Sequence, residues 1–114
     1  VPLQEIGKRS LEAKGMIKIS STCAVFASQE VLSYRRRGVS LEDVLAGVHE
    51  AVADRVFGLI KSVGLERDFV ITGGIAKNPG VVRRVEKRAN LTVLIPPDPQ
   101  FTGALGAAWL AREV

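Results

Sequence analysis

Two stretches of this chain hold residue types that could do chemistry. The first is Val70-Ile71-Thr72-Gly73-Gly74-Ile75-Ala76-Lys77-Asn78-Pro79-Gly80, an apolar segment that ends in two glycines and turns into a helix within a few residues. Glycines after a strand let a ligand approach the backbone with no Cβ in the way, and a helix start at Asn78 and Pro79 offers N–H groups and the positive end of a dipole. This is the build of a phosphate or nucleoside site; it is also the build of a tight strand-to-helix turn with Asn78 as N-cap and Pro79 at the first helical position. The second stretch, from Ile17 through Ser20-Ser21-Thr22 to Val31, reads as a strand, a polar turn and a helix start that carries the only cysteine, Cys23. The positive end of a helix favours a thiolate, the form that binds soft metals and iron–sulfur clusters. A lone cysteine otherwise serves as a small buried hydrophobe.

The remaining polar groups have quieter readings. His49, the single histidine, lies beside an apolar helical stripe near Leu45 and Val52, with no serine, cysteine or carboxylate placed to work with it. It is read as a partly buried structural residue. Glu42, Asp43, Glu50 and Asp54 fall mostly on the solvated face of the same helix and make no metal site. The net charge of +4 has its one dense basic cluster in Arg35-Arg36-Arg37, which closes a helix before Gly38 and complements its dipole. With aromatics at 5% and none interleaved with the basic positions, a nucleic-acid partner is not expected.

Taken together with Phe101-Thr102-Gly103-Ala104-Leu105-Gly106-Ala107-Ala108, the two stretches resemble the C-terminal part of the activator ATPases of 2-hydroxyacyl-CoA dehydratases and benzoyl-CoA reductases. The resemblance rests on ISSTCAVFASQEV at 19–31, Leu45-Ala46-Gly47-Val48-His49, TGGIAKNPGV at 72–81 and DPQFTGALGAA at 98–108. It implies an actin- and hexokinase-like (ribonuclease H-like) ATPase subdomain and a cytoplasmic homodimer that binds ATP or ADP with Mg²⁺. It further implies a [4Fe-4S] cluster held between subunits, and an electron passed to a CoA-ester dehydratase or reductase. Carried over residue by residue, Gly73 and Gly74 pass beside the α-phosphate and ribose, Thr72, Lys77 and Asn78 surround the nucleoside, and Cys23 is one cluster ligand per subunit. Glu30, on the helix after Cys23, would offer a carboxylate to the ribose hydroxyls, by analogy of fold.

The departures bound that expectation. No strand here is followed by an Asp-Gly-Gly or Asp-x-Gly-Ser/Thr phosphate loop, and a second cluster cysteine is missing. Residues 1–114, which open on Val1, are therefore expected to be a C-terminal subdomain without its N-terminal phosphate-binding lobe. No cofactor is expected to bind tightly to this chain alone. A sugar-kinase-like or regulatory nucleotide-binding subdomain without redox chemistry, or a non-catalytic interaction module, is the alternative reading.

The elements that must position these residues follow from periodicity. Helices are predicted over Leu3 to Ala13, from Cys23, from a Ser40-Leu41-Glu42-Asp43 capping box to Gly64, over Asn78 to Arg88 and over Gln100 to Arg112. Strands are predicted around Met16 to Ser20, Phe69 to Thr72 and Leu91 to Ile95. Strands alternating with helices imply an α/β fold of mainly parallel short strands flanked by helices. A hydrophobic content of 46% over 114 residues suits one domain that buries about two-thirds of its unfolded surface. One cysteine excludes an internal disulfide. Gly103 to Ala111 is too short to span a bilayer and is expected to be a buried helix, in which Gly103 and Gly106 permit close packing.

Overall fold

In the structure, a computed structural model that describes residues 1–20 and 23–114, the described residues form five helices, of which the first, third and fourth pack together at one junction. They are α1 (Leu3–Ser10), α2 (Ala24–Arg36), α3 (Leu41–Val63), α4 (Pro79–Ala89) and α5 (Thr102–Ala111), with 3₁₀ turns at Gly74–Lys77 and Pro99–Phe101. The starts of α3 and α4 have a local cause in a side-chain cap. Ser40 Oγ accepts the Asp43 amide at 3.1 Å to open α3. The Asp43 carboxylate does not close the predicted capping box. It accepts the Lys14 and Gly15 amides, each at 2.9 Å, and so ties the segment after α1 to α3. Gly38 follows α2 at φ 84°, and the Arg35 guanidinium bonds the Val39 carbonyl at 2.7 Å, so the basic cluster closes its own helix.

The strand expectations are corrected in part. Among the described residues the β structure is a single parallel bridge between Val70 and Leu94, with Ile71 N donating to Leu94 O at 3.1 Å and Leu94 N to Phe69 O at 2.9 Å. The segment 16–20 is extended without a ladder, and Ser21 and Thr22 of the predicted polar turn lie outside the described residues. A parallel ladder needs a neighbour on each side and cover on both faces. The described residues give Val70 and Leu94 only each other.

The core sits between α3, α4 and the bridge: Ala53, Val81, Val82, Val85 and Val93 are buried, with Val56, Ile60, Phe69, Ile71 and Leu91 packed against them. The buried residues of α3 are Val44, Ala46, Gly47, His49 and Ala53; of the apolar stripe expected at helical spacing, Val44 is buried and Val56 and Ile60 pack on the core, while Val52, Leu59 and Val63 are exposed. Small residues allow α1 and α4 to approach closely, whereas Leu59 and Val63 (89% exposed) face outward. The four acidic residues of α3 are also not simply solvated. Glu42 pairs with Arg9, Glu50 with Arg84 at 2.9 Å and Arg88 at 2.6 Å, and Asp54 with Arg88 at 3.2 Å.

The expectation of a buried C-terminal helix fails: α5 has no buried residue, and Leu105 is 67% and Trp109 59% exposed. Among the described residues its substantial packing is against the 3₁₀ turn Pro99–Phe101 alone. A Cβ placed on Gly103 or Gly106, the glycines expected to permit close helix packing, would meet nothing within 4 Å. The radius of gyration is 16.3 Å, against about 13 Å for a compact chain of this length. No helix among the described residues is long and apolar enough to cross a membrane.

Candidate functional site

The Gly-Gly turn is held from three sides. Gly73 sits at φ 83°, a left-handed conformation that side chains rarely adopt, and its N–H donates to Pro99 O at 2.7 Å. Ala76 N returns to Gly73 O at 3.1 Å and Asn78 N to Ile75 O at 3.0 Å, winding residues 74–77 into a 3₁₀ turn. Lys77 Nζ reaches Gln100 Oε1 at 3.4 Å. Thr72, Gly74 and Lys77 are exposed, Gly73 and Asn78 half-buried. The structure therefore brings Thr72, Gly73, Gly74, Lys77 and Asn78 together on one turn braced by residues 99–100.

The two glycines have different reasons. Gly73 is required by its backbone angle. Gly74 is not at positive φ, and the nearest atom to a Cβ placed on it would be Gln100 Cδ, 3.9 Å away. Among the described residues nothing asks for a glycine there.

One expectation for this site is corrected. The start of α4 does not offer free N–H groups, because Asn78 Oδ1 accepts from Gly80 N at 2.9 Å and Val81 N at 3.2 Å, and Pro79 has none. The other end of the same amide is engaged too: Asn78 Nδ2 lies 3.0 Å from His49 Nε2. His49 is 3% exposed, buried more deeply than the sequence implies, and its Nδ1 stands 2.7 Å from Leu45 O. Burial holds the imidazole below its ordinary value of 6.5, and the charge of Arg84 adds to the shift.

Residue pairs at this junction escape sequence reasoning, since they join positions far apart in the chain. Arg84 bonds Ser10 Oγ at 3.0 Å and Ser10 O at 3.1 Å as well as Glu50. For Glu50, burial alone would raise the carboxyl, but the bonds from Arg88 and Arg84 outweigh it and leave it below its ordinary value.

Glu30 and Cys23 stand apart from this turn, on α2. Glu30 accepts from Ser20 N at 3.0 Å and Ser20 Oγ at 3.2 Å, which fastens the extended segment to the helix. Cys23 is exposed, at the N-cap of α2, where its carbonyl accepts the Ala27 amide at 2.9 Å. An open groove of about 830 Å³ runs between the 18–20 segment, α2 and α3, with Ser20, Ala24 and Val48 along it. Among the described residues no group of three His, Cys, Asp or Glu side chains could hold a metal ion. A cluster of the [4Fe-4S] type takes four thiolates. Residues 1–114 hold one cysteine, so two copies would present two thiolates, short of that set.

The chain belongs to the BadF/BadG/BcrA/BcrD ATPase family, whose model matches residues 1–111. It is 49% identical over 111 residues to the activator of lactoyl-CoA dehydratase from Anaerotignum propionicum, covering 97% of this chain and 43% of that protein. It is 43% identical over 111 residues to the (R)-2-hydroxyglutaryl-CoA dehydratase activating ATPase of Acidaminococcus fermentans, covering 97% of this chain and 42% of that protein. The solved activator of the 2-hydroxyisocaproyl-CoA dehydratase from Clostridium difficile with bound ADPNP superposes with a TM-score of 0.92 at 42% identity, over 99% of this chain and 42% of that one. The chain thus spans less than half the length of the relatives it matches.

Proposed function

We propose that residues 1–114 form the C-terminal nucleotide-binding part of an ATP-dependent, iron–sulfur-containing activator that passes an electron to a 2-hydroxyacyl-CoA dehydratase or benzoyl-CoA reductase type of enzyme. The observation that carries this reading is Gly74 on the braced turn after Gly73, whose missing Cβ answers to no backbone angle and, among the described residues, to no close neighbour. A ligand that must pass close to the backbone accounts for it. Membership of an ATPase family and the nucleotide in a structural relative support the same turn as the nucleotide contact.

In this reading Gly73, Gly74, Thr72 and Lys77 face the nucleoside and α-phosphate of ATP or ADP, Glu30 serves the ribose, and Asn78 holds the turn in place. The phosphate loops and Mg²⁺ ligands belong to an N-terminal lobe, and the Val70–Leu94 bridge is one rung of a parallel sheet completed there. Cys23 contributes one ligand per subunit to a [4Fe-4S] cluster shared across a cytoplasmic homodimer. When bound, the cluster stores and releases the electron; this chain's part is to present the thiolate at the start of α2.

The test is calorimetric titration of the full-length parent protein with ADP. Gly74→Val should weaken binding more than about tenfold, or 1.4 kcal/mol, with an unchanged circular dichroism spectrum, because its Cβ comes no nearer than 3.9 Å, ordinary contact, to the flexible Gln100 side chain but fills the ligand's approach. Unchanged affinity in that variant would remove the turn from the site.

A further inference from the structure

We infer that His49 is a positioning residue for the nucleotide turn, acting through the Asn78 amide. The inference rests on the nucleotide reading of that turn. Asn78 Oδ1 is committed to the Gly80 and Val81 N–H groups, so the atom facing His49 Nε2 is the amide nitrogen, which can only donate. His49 Nε2 must therefore accept. The ring's one proton then sits on Nδ1, where it donates to Leu45 O at 2.7 Å. The bonds form an ordered relay: α3 carbonyl, neutral imidazole, asparagine amide, α4 N-terminus.

The relay has no slack. A Cβ on Gly80 would come within 2.7 Å of His49 Cδ2 and 2.8 Å of Gly7 O, and one on Gly7 would strike the Asn78 side chain. Glycines on α1 and α4 thus press the imidazole and the amide together, and the 3₁₀ turn of residues 74–77 ends on the Asn78 they fix. A doubly protonated imidazole would keep its Nδ1–H on Leu45 O but turn an Nε2–H, a donor, on the Asn78 amide nitrogen, also a donor. The amide could then satisfy it only by flipping, which strips the cap from Gly80 and Val81. The charged groups facing this junction all disfavour that proton or are already engaged. From α4 it is Arg84, bonded to Glu50 of α3; from α1 the neighbours are Gly7 and Ser10, which carry no charge, and Arg9 is paired with Glu42. Burial lowers the imidazole below its ordinary value, in keeping with a neutral ring.

The test uses the full-length protein with ADP as the probe and two variants. His49→Gln can still accept from Asn78 and donate to Leu45 O; His49→Leu can do neither. His49→Leu should weaken ADP binding about threefold to tenfold, the span of a lost helix cap, and His49→Gln should restore it. Wild-type affinity should fall as pH drops below the ordinary histidine range, and His49→Gln should abolish that fall. Wild-type affinity in His49→Leu, or the same acid fall in His49→Gln, would overturn the role. If the wild-type protein binds no ADP, the nucleotide reading fails and the relay is decided without ligand. The imidazole ¹⁵N shifts should then report an Nδ1–H ring, and the Gly80 and Val81 amides should exchange faster in His49→Leu but not in His49→Gln. Equal exchange in both variants would overturn the relay itself.

Discussion

At the residue scale the site depends on side chains that never face a ligand. Asn78 illustrates the point: the sequence marks it as both a cap and a nucleoside neighbour, and the structure commits both ends of its amide to protein partners. Asn78→Ala should destabilise the protein by about 1 kcal/mol, the usual cost of an N-cap, read as a lower melting temperature. His49 adds a pH dependence with a definite sign. Its folded value lies below the 6.5 of the unfolded chain, so between the two the unfolded state binds more protons and stability falls as pH falls. A second loss begins below about 4.5, where Glu50 and Glu42, both held below that value in the fold, take up protons. A thermal melt series should show both stages, and His49→Gln should remove the first alone. For Cys23, Ser in its place should abolish the iron–sulfur absorbance of the anaerobically prepared full-length protein. Retention of full iron and sulfide in that variant would leave the redox reading without its ligand.

At the element scale, α3 is the frame on which α1 and α4 are hung, through small residues and ion pairs rather than through bulk. Arg84 is nearly buried and spends its guanidinium on Glu50, Ser10 and the Gly80 carbonyl. Glu50→Ala should cost about 1–3 kcal/mol, more than an exposed pair, because it leaves a nearly buried cation with one partner fewer. Chemical denaturation with an unchanged slope would read it. The strands illustrate the opposite case. Phe69 to Thr72 and Leu91 to Ile95 have the apolar content of buried parallel strands, yet they pair at a single rung. Propensity selects extended backbone, and a ladder needs partners.

At the scale of the whole molecule, apolar faces are left uncovered. Val25, Phe26 and Leu32 of α2 and Leu105, Trp109 and Leu110 of α5 are exposed, and Arg112 stacks 4.8 Å from the centre of the Trp109 ring. As Trp109 is the only tryptophan of residues 1–114, the emission of this chain reports α5 alone, and that of the longer protein does so once any tryptophan outside these residues is replaced by phenylalanine. In the isolated chain it should be red-shifted and readily quenched by acrylamide; in the full-length protein it should shift to the blue and resist quenching. Equal quenching in both would mean that α5 stays exposed in the longer protein. The isolated chain should also show no Mg²⁺-dependent phosphate release from ATP, because in-line attack needs phosphate and metal ligands converging from both sides of a cleft. Sustained turnover would show a complete site within these 114 residues.

What the sequence determined was local. Gly73 for a left-handed turn, Asn78 and Pro79 for a helix start, Ser40 for the cap of α3 and Gly38 to end α2 are choices made by backbone sterics and hydrogen bonding within a few residues, and each stands where its type predicts. The four ordered motifs likewise revealed the family. Tertiary structure decided which face of α3 is buried, what the acidic residues of α3 bind, and that α5 lies open. These depend on which helices meet, and helical periodicity marks an apolar face without naming its partner. The relay from Leu45 through His49 to Asn78 belongs to the same category. It joins His49 and Asn78, 29 positions apart, through an amide N–H that donates to Nε2, and only the close approach of α3 to α4 brings the two side chains together.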